Sequence, residues 1–84
     1  MIHEGRCVIR LNDKTDHGGQ VISVSSGTVV LSIEAALAND ITFCPKCKGN
    51  FPIKPDGGGA KHMGRPYAYD SDLTACGAKL ISSL

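Results

Sequence analysis

The chain is predicted to be all-β: a small domain of short β-hairpins with pseudo-threefold repeats, held by one structural metal ion. Three observations predict this. Asp13-Lys14-Thr15-Asp16-His17, Asp40-Ile41-Thr42-Phe43-Cys44 and Asp72-Leu73-Thr74-Ala75-Cys76 share one pattern, D-x-T-x-[H/C], and each ends on a residue that can bind a metal. Several short runs hold β-branched or aromatic residues and are bounded by Gly, Asp, Asn or Ser, a strand signal at hairpin spacing. Ten Gly and four Pro in 84 residues make turns dense, while the absence of Trp and the two Phe and two Tyr leave the core to Val, Ile, Leu and Ala.

The repeat extends beyond the pattern. A shift of 59 residues lays Gly5-Arg6 on Gly64-Arg65, Asp13 on Asp72, Thr15 on Thr74, His17 on Cys76, Gly18 on Gly77 and Ile22-Ser23 on Ile81-Ser82 without a gap. A shift of 27 brings Asp13, Thr15 and His17 onto Asp40, Thr42 and Cys44, with divergent flanks. Units that cannot bury a core alone gain stability by packing on one another.

In chain order, residues 6–10, 20–24, 28–33, 66–70 and 78–82 are predicted strands. Ser25-Ser26-Gly27 reads as a tight hairpin turn between the second and third of them. Residues 34–38, rich in Ala and Leu, fit a helical turn and an extended segment equally well. Pro55-Asp56-Gly57-Gly58-Gly59 is an exposed loop rather than a linker, because the repeat resumes beyond it. Within each repeat the Asp is expected to bond its own backbone two residues on, and the Thr hydroxyl to act similarly. Gly18 and Gly77, directly after a ligand position, permit a tight bend.

Eighty-four residues are expected to form a single domain, residues 1–84, with no effector extension. A chain of this size buries little surface and needs a staple. The net charge is +1, and Lys and Arg are scattered along the chain, which argues against nucleic acid as a partner. Met1-Ile2-His3-Glu4-Gly5 lacks the charged and apolar regions of a secretory signal, and no stretch approaches the roughly 18 apolar residues of a membrane span. In a reducing compartment the four cysteines read as metal ligands rather than disulfides.

The expected metal set is His17, Cys44, Cys47 and Cys76. Cys44-Pro45-Lys46-Cys47 is a C-x-x-C turn, whose two thiolates commonly share a zinc. The repeat lifts His17 and Cys76 above their ordinary readings as a solvated turn histidine and a small buried hydrophobe. Cys47 lies outside the pattern, and His62 competes for the fourth place. Cys7 reads as a packed thiol and His3 as a disordered surface residue. A redox C-x-x-C would want a βαβ context that is missing. No catalytic grouping or phosphate loop is present, and four protein ligands imply a structural site.

Gly5-Arg6 with Asp13-Lys14-Thr15-Asp16-His17-Gly18-Gly19, then Asp40 through Cys44-Pro45-Lys46-Cys47-Lys48-Gly49, then Gly64-Arg65-Pro66-Tyr67-Ala68-Tyr69 and Asp72 through Cys76-Gly77-Ala78, resemble PAAR-repeat proteins over nearly the whole chain. The name-giving Pro-Ala-Ala-Arg falls on Pro66-Tyr67-Ala68-Tyr69 and on Cys7-Val8-Ile9-Arg10. The second ligand of the middle segment, often histidine in such proteins, falls on Cys47.

The resemblance implies a cone-shaped β domain with one zinc near the apex, bound by His17, Cys44, Cys47 and Cys76. It also implies a non-enzymatic tip that sits as a monomer on the trimeric VgrG-like spike of a type VI secretion system, sharpens it for membrane puncture and helps effector delivery. The wide base, including segments 21–24 and 80–82, is expected to meet the spike. Such a protein would be made in the bacterial cytoplasm, carry effectors non-covalently, and touch the target membrane transiently on ejection. The tip of a phage or phage-derived tail and a small zinc-ribbon module are the alternatives. A ribbon would use two C-x-x-C knuckles, and this chain has one.

Overall fold

A computed structural model describes residues 2–3 and 5–84. The described residues contain strands and turns but no helix, and therefore none long and apolar enough to cross a membrane. Three two-stranded hairpins recur along the chain: β1 (Ile2–His3) with β2 (Arg6–Cys7), β5 (Val29–Val30) with β6 (Ile33–Glu34), and β9 (Lys61–His62) with β10 (Arg65–Pro66). The other six strands form one sheet: β3 (Lys14–Thr15), β4 (Gln20–Val21), β7 (Ile41–Cys44), β8 (Gly49–Lys54), β11 (Leu73–Thr74) and β12 (Leu80–Ile81). Its order is β11-β8-β7-β4-β3-β12, and a bridge between Leu73 and Lys79 brings the two ends together into a nearly closed barrel.

The barrel obeys the repeat. Leu80 faces Thr15, Val21 faces Thr42 and Ile53 faces Thr74 across neighbouring antiparallel strands, and all six are buried. An apolar residue thus meets a threonine at each junction between repeats. Because side chains alternate along a strand, the flanking Lys14, Phe43 and Leu73 face outward and are exposed. In an antiparallel barrel of this order, the turns β3–β4, β7–β8 and β11–β12 all open at the same end.

Just before β3, β7 and β11, the chain closes a second ring. Ile9 N donates to Ala68 O (2.9 Å), Ala68 N to Ala36 O (3.0 Å) and Ala36 N to Ile9 O (2.8 Å). Bridges between Val8 and Tyr69, Arg10 and Ala35, and Leu37 and Tyr67 flank this cycle. Ile9, Ala36 and Ala68 have no exposure and pack with Val21, Ile53 and Leu80 in one cluster, so the main core is two layers of three. Val8, Ala35, Leu37, Tyr67 and Tyr69 form a second cluster.

The three aspartates tie the ring to the barrel. Asp13, Asp40 and Asp72 each accept a hydrogen bond through Oδ2 from the amide three residues earlier, on Arg10, Leu37 and Tyr69, at 2.8, 2.7 and 2.8 Å. This corrects the expected turn, in which the carboxylate would reach forward two residues. The residue before each Asp has φ of 70°, 70° and 73° at Asn12, Asn39 and Ser71. The chain reverses sharply there, which carries each Asp back over the motif strand. Asn tolerates this left-handed conformation better than most residues.

Other expectations change as well. Residues 28–33 are not one strand but a hairpin, with its turn at Leu31 (φ 50°) and Ser32 (φ 72°). Ser25-Ser26-Gly27 does not close a hairpin, since β4 pairs with β7. Instead Ser26 Oγ donates to Ala35 O, and Ser25 bonds Asp40. Residues 34–37 are extended, with Ala38 entering a turn: they are the middle copy of the Pro-Ala-Ala-Arg motif, Glu34-Ala35-Ala36-Leu37. The longest strands, β7 and β8, were not anticipated, because Asp40–Cys44 reads as a turn pattern and Pro52 breaks the second run. Pro52 pairs with Ile41 in β7, and its carbonyl accepts from Ala75 N.

Candidate metal centre

All four expected ligands converge at the hairpin-turn end of the barrel. His17 lies in the β3–β4 turn, Cys44 ends β7, Cys47 follows in the β7–β8 turn and Cys76 lies in the β11–β12 turn. The local sequence permits this convergence. Gly18 and Gly77 follow their ligands with φ of 82° and 86°, a conformation that a side chain would strain. Gly19 is needed for a different reason: a Cβ there would collide with the carbonyl of Phe43, so only glycine lets β3–β4 close onto β7. In the middle repeat the Gly18 position is Pro45, and the turn is carried by Lys48 at φ 57°.

The ligand atoms of His17, Cys44, Cys47 and Cys76 lie within 4.8 Å of one another. His17 Nδ1 is 3.5 Å from Cys44 Sγ and 3.9 Å from Cys76 Sγ. Bond lengths of about 2.0–2.1 Å to nitrogen and 2.3 Å to sulfur place tetrahedral ligand atoms about 3.5–3.8 Å apart. The cluster therefore fits one tetrahedral ion, and its one imidazole and three thiols suit a borderline-soft metal. Cys44 is buried, His17 and Cys76 are half-buried and Cys47 is exposed, so the cluster opens to the surface on the Cys47 side.

Neighbouring groups position these atoms. Asp16 Oδ1 faces His17 Nε2 at 3.9 Å, too long for a hydrogen bond but on the side that leaves Nδ1 toward the thiols. The same oxygen accepts Lys79 N (2.8 Å), which ties the first repeat's turn to the third. Cys47 N donates to Cys44 Sγ (3.4 Å), and the Thr74 hydroxyl is 3.1 Å from Cys76 Sγ. Asp16 was not anticipated, since the repeats place Phe43 and Ala75 at its position and nothing in the pattern marks it.

The thiols differ. The hydrogen bond with Cys44, with burial and contact with Cys76, pushes the Cys47 thiol up to about 11. Burial opposes ionisation of Cys76, but the Thr74 hydroxyl, the Ala78 amide, Cys44 and His17 outweigh it and bring it down to about 6. At neutral pH without metal, Cys76 is therefore a thiolate and Cys47 a thiol, so loading a metal must displace the Cys47 proton. Below about 6 Cys76 also takes up a proton, and protons then compete for both sulfurs. The apparent zinc affinity is expected to fall with decreasing pH and to fall more steeply, by one further proton, below that point. A zinc titration against a chromophoric chelator from pH 5 to 7.5 checks this; a pH-independent affinity would contradict it.

The competing histidine stays outside the cluster: the His62 ring stands edge-on to Tyr67 with centroids 6.4 Å apart. Cys7 lies half-buried in β2, opposite Ile2. His3 is held in β1 against Tyr69, with ring centroids 5.5 Å apart, rather than disordered.

Residues 11–82 match the family model described as PAAR motif. No curated protein matches the chain at a significant level. The match spans all three D-x-T-x-[H/C] turns and two of the three motif strands, and the fold supplies the third at residues 7–10. The chain belongs to the PAAR-motif family.

Proposed function

We propose that the chain is a structural, zinc-stabilised tip protein that caps the trimeric VgrG-like spike of a type VI secretion system, sharpening it for membrane puncture and helping effector delivery. The observation that carries this reading is the closed cycle of backbone hydrogen bonds through Ile9, Ala36 and Ala68. It makes a single chain present three similar faces, as a cap on a threefold object requires. A β-structured trimer ends in unpaired strand edges that need covering, and one pseudo-threefold chain can cover all three.

The zinc, bound by His17, Cys44, Cys47 and Cys76, would pin the three turns at the leading end. Four protein ligands complete a tetrahedral shell and leave no position for a substrate, which favours a structural over an enzymatic role. The spike would then meet the opposite end, through the motif ring and the three hairpins that lead into it. Ile2, Val29, Leu31 and Met63 on those hairpins are largely exposed, up to 92% for Met63, and supply apolar contact area. Within the segments assigned to the base from sequence, Val21 and Leu80 are core residues with at most 1% exposure, while Ile22 and Ile81 are 43% and 46% exposed.

The test is binding of the zinc-loaded chain to a purified trimeric spike protein from the same secretion cluster. One chain per trimer is expected, with binding weakened by Leu31→Asp and Met63→Asp. Absence of a complex at micromolar concentrations would sink the reading.

A further inference from the structure

The three buried aspartates each accept the amide three residues earlier through Oδ2, with Ser25 N added at Asp40, and they differ in what reaches Oδ1. At Asp13, Ser83 Oγ donates at 2.6 Å. At Asp40, Ser25 Oγ donates at 2.6 Å, and Arg65 Nη2 adds a second contact at 3.3 Å. Each serine belongs to the segment that leaves the barrel, after β12 in one case and after β4 in the other. The corresponding segment after β8 brings Asp56, and a carboxylate cannot donate to a carboxylate. Arg6 lies between them instead, with Nη1 2.9 Å from Asp72 Oδ1 and Nη2 2.7 Å from Asp56 Oδ2. Among the described residues no hydroxyl reaches Asp72. Beside this Arg6 bridge lies an open cavity of about 380 Å³, lined by Arg6, Lys54, Asp56, Ser71, Asp72 and Leu73.

We propose that this cavity is a docking site for a short extended segment of another protein, held by a serine or threonine hydroxyl that donates to Asp72 Oδ1 as Ser25 and Ser83 do at the sister positions. The chemistry of the lining narrows the occupant. An ionised carboxylate oxygen accepts more than one donor, and Asp40 Oδ1 takes two where Asp72 Oδ1 takes one. Arg6 and Lys54 balance Asp56 and Asp72, so the cavity favours a neutral segment over a charged one. Leu73, 43% exposed, provides an apolar wall for an aliphatic residue beside the hydroxyl. Val24 provides the internal analogue, since it precedes Ser25 and packs on the core. The inference rests on the repeat geometry and is independent of the spike reading.

The probes are two peptides copied from the chain itself, Val-Ile-Ser-Val-Ser-Ser (residues 21–26) and Leu-Ile-Ser-Ser-Leu (residues 80–84), each with a serine-to-alanine control. They would be titrated into the ¹⁵N-labelled, zinc-loaded full chain. Amide shifts are expected at Arg6, Lys54, Ser71 and Leu73, and the alanine peptides should bind about tenfold more weakly or worse, the loss expected for a hydrogen bond to a charged group. Asp56→Ser, in an exposed loop, should install the missing hydroxyl from within, leave the melting temperature unchanged or higher, and abolish peptide binding. No shifts at millimolar peptide, equal binding of the alanine peptides, or undiminished binding to Asp56→Ser would overturn the proposal. So would shifts centred on Asp13 and Asp40, which would mean that the peptides displace the chain's own serines.

Discussion

Removing zinc from the loaded protein with a chelator is expected to unfold it, and His17→Ala and Cys76→Ala are expected to do so without a chelator. The four large aliphatic side chains of the main cluster, Ile9, Val21, Ile53 and Leu80, contribute about 1.5–3 kcal/mol each. Ordering the backbone costs about 1–2 kcal/mol per residue, and the turn end of the barrel holds little apolar material to offset it. Structural zinc in finger peptides supplies an apparent 10–16 kcal/mol, comparable to the whole stability of an ordinary domain at about 5–15. Without an ion, three sulfurs and an imidazole are still held within 4.8 Å, and ionising more than one thiol there adds repulsion. His17, Cys44 and Cys76 each come from a different repeat, so loss of His17 or Cys76 releases one turn from the other two. Cys47→Ala should be milder, because the residue is exposed and Cys44 keeps the middle turn attached. Circular dichroism and elemental analysis on the same samples decide the matter. A metal-free chain with an unchanged melting temperature would show that barrel closure suffices and that the cluster has another role.

The repeat and most of the metal cluster were legible in the sequence because the demands on them are local and chemical. Only a few residue types can end a turn as ligands, and an Asp four residues before that His or Cys recurs wherever the motif strand must be tied to the barrel. The hairpins were less legible. A two-residue turn with positive φ at both positions is usually announced by Asn-Gly or Asp-Gly, whereas this chain uses Leu31-Ser32 and Met63-Gly64. The middle motif strand was hidden for another reason: Ala35 and Ala36 favour helix in isolation, and tertiary pairing holds them extended, Ala36 through the cycle with Ile9 and Ala68 and Ala35 through Arg10 and Thr28. Alanine fits there because side chains from three strands converge on one axis. That requirement comes from tertiary packing, and no local pattern carries it.

Asp40→Ala is expected to cost about 3–5 kcal/mol, the range seen when one partner of a buried charged network is removed. The side chain is 4% exposed and accepts from Leu37 N at 2.7 Å, Ser25 Oγ at 2.6 Å, Ser25 N at 3.2 Å and Arg65 Nη2 at 3.3 Å. Alanine would leave the buried Leu37 amide without its acceptor and would release the Ser25 segment, while Arg65 stays tied to this repeat through the Ala38 carbonyl. In a domain of this size the melting temperature should fall by roughly 12–40 °C, at about 4–8 °C per kcal/mol. Arg65→Ala should be milder, about 1 kcal/mol, because that side chain is 41% exposed and water can replace its contacts with Asp40, Ser25 Oγ and the Ala38 carbonyl. The ordering of the two variants discriminates between explanations. If the aspartate acted chiefly through its ion pair, the two substitutions would cost about the same. If it acts chiefly as the internal acceptor that reverses the chain at Asn39, Asp40→Ala will be several-fold worse, and Asp13→Ala and Asp72→Ala will be comparably severe, although Asp72 pairs with Arg6 while Asp13 accepts from the Ser83 hydroxyl. Urea melts of the four variants in the zinc-loaded state separate these cases, and near-equal losses for Asp40→Ala and Arg65→Ala would reject the backbone role.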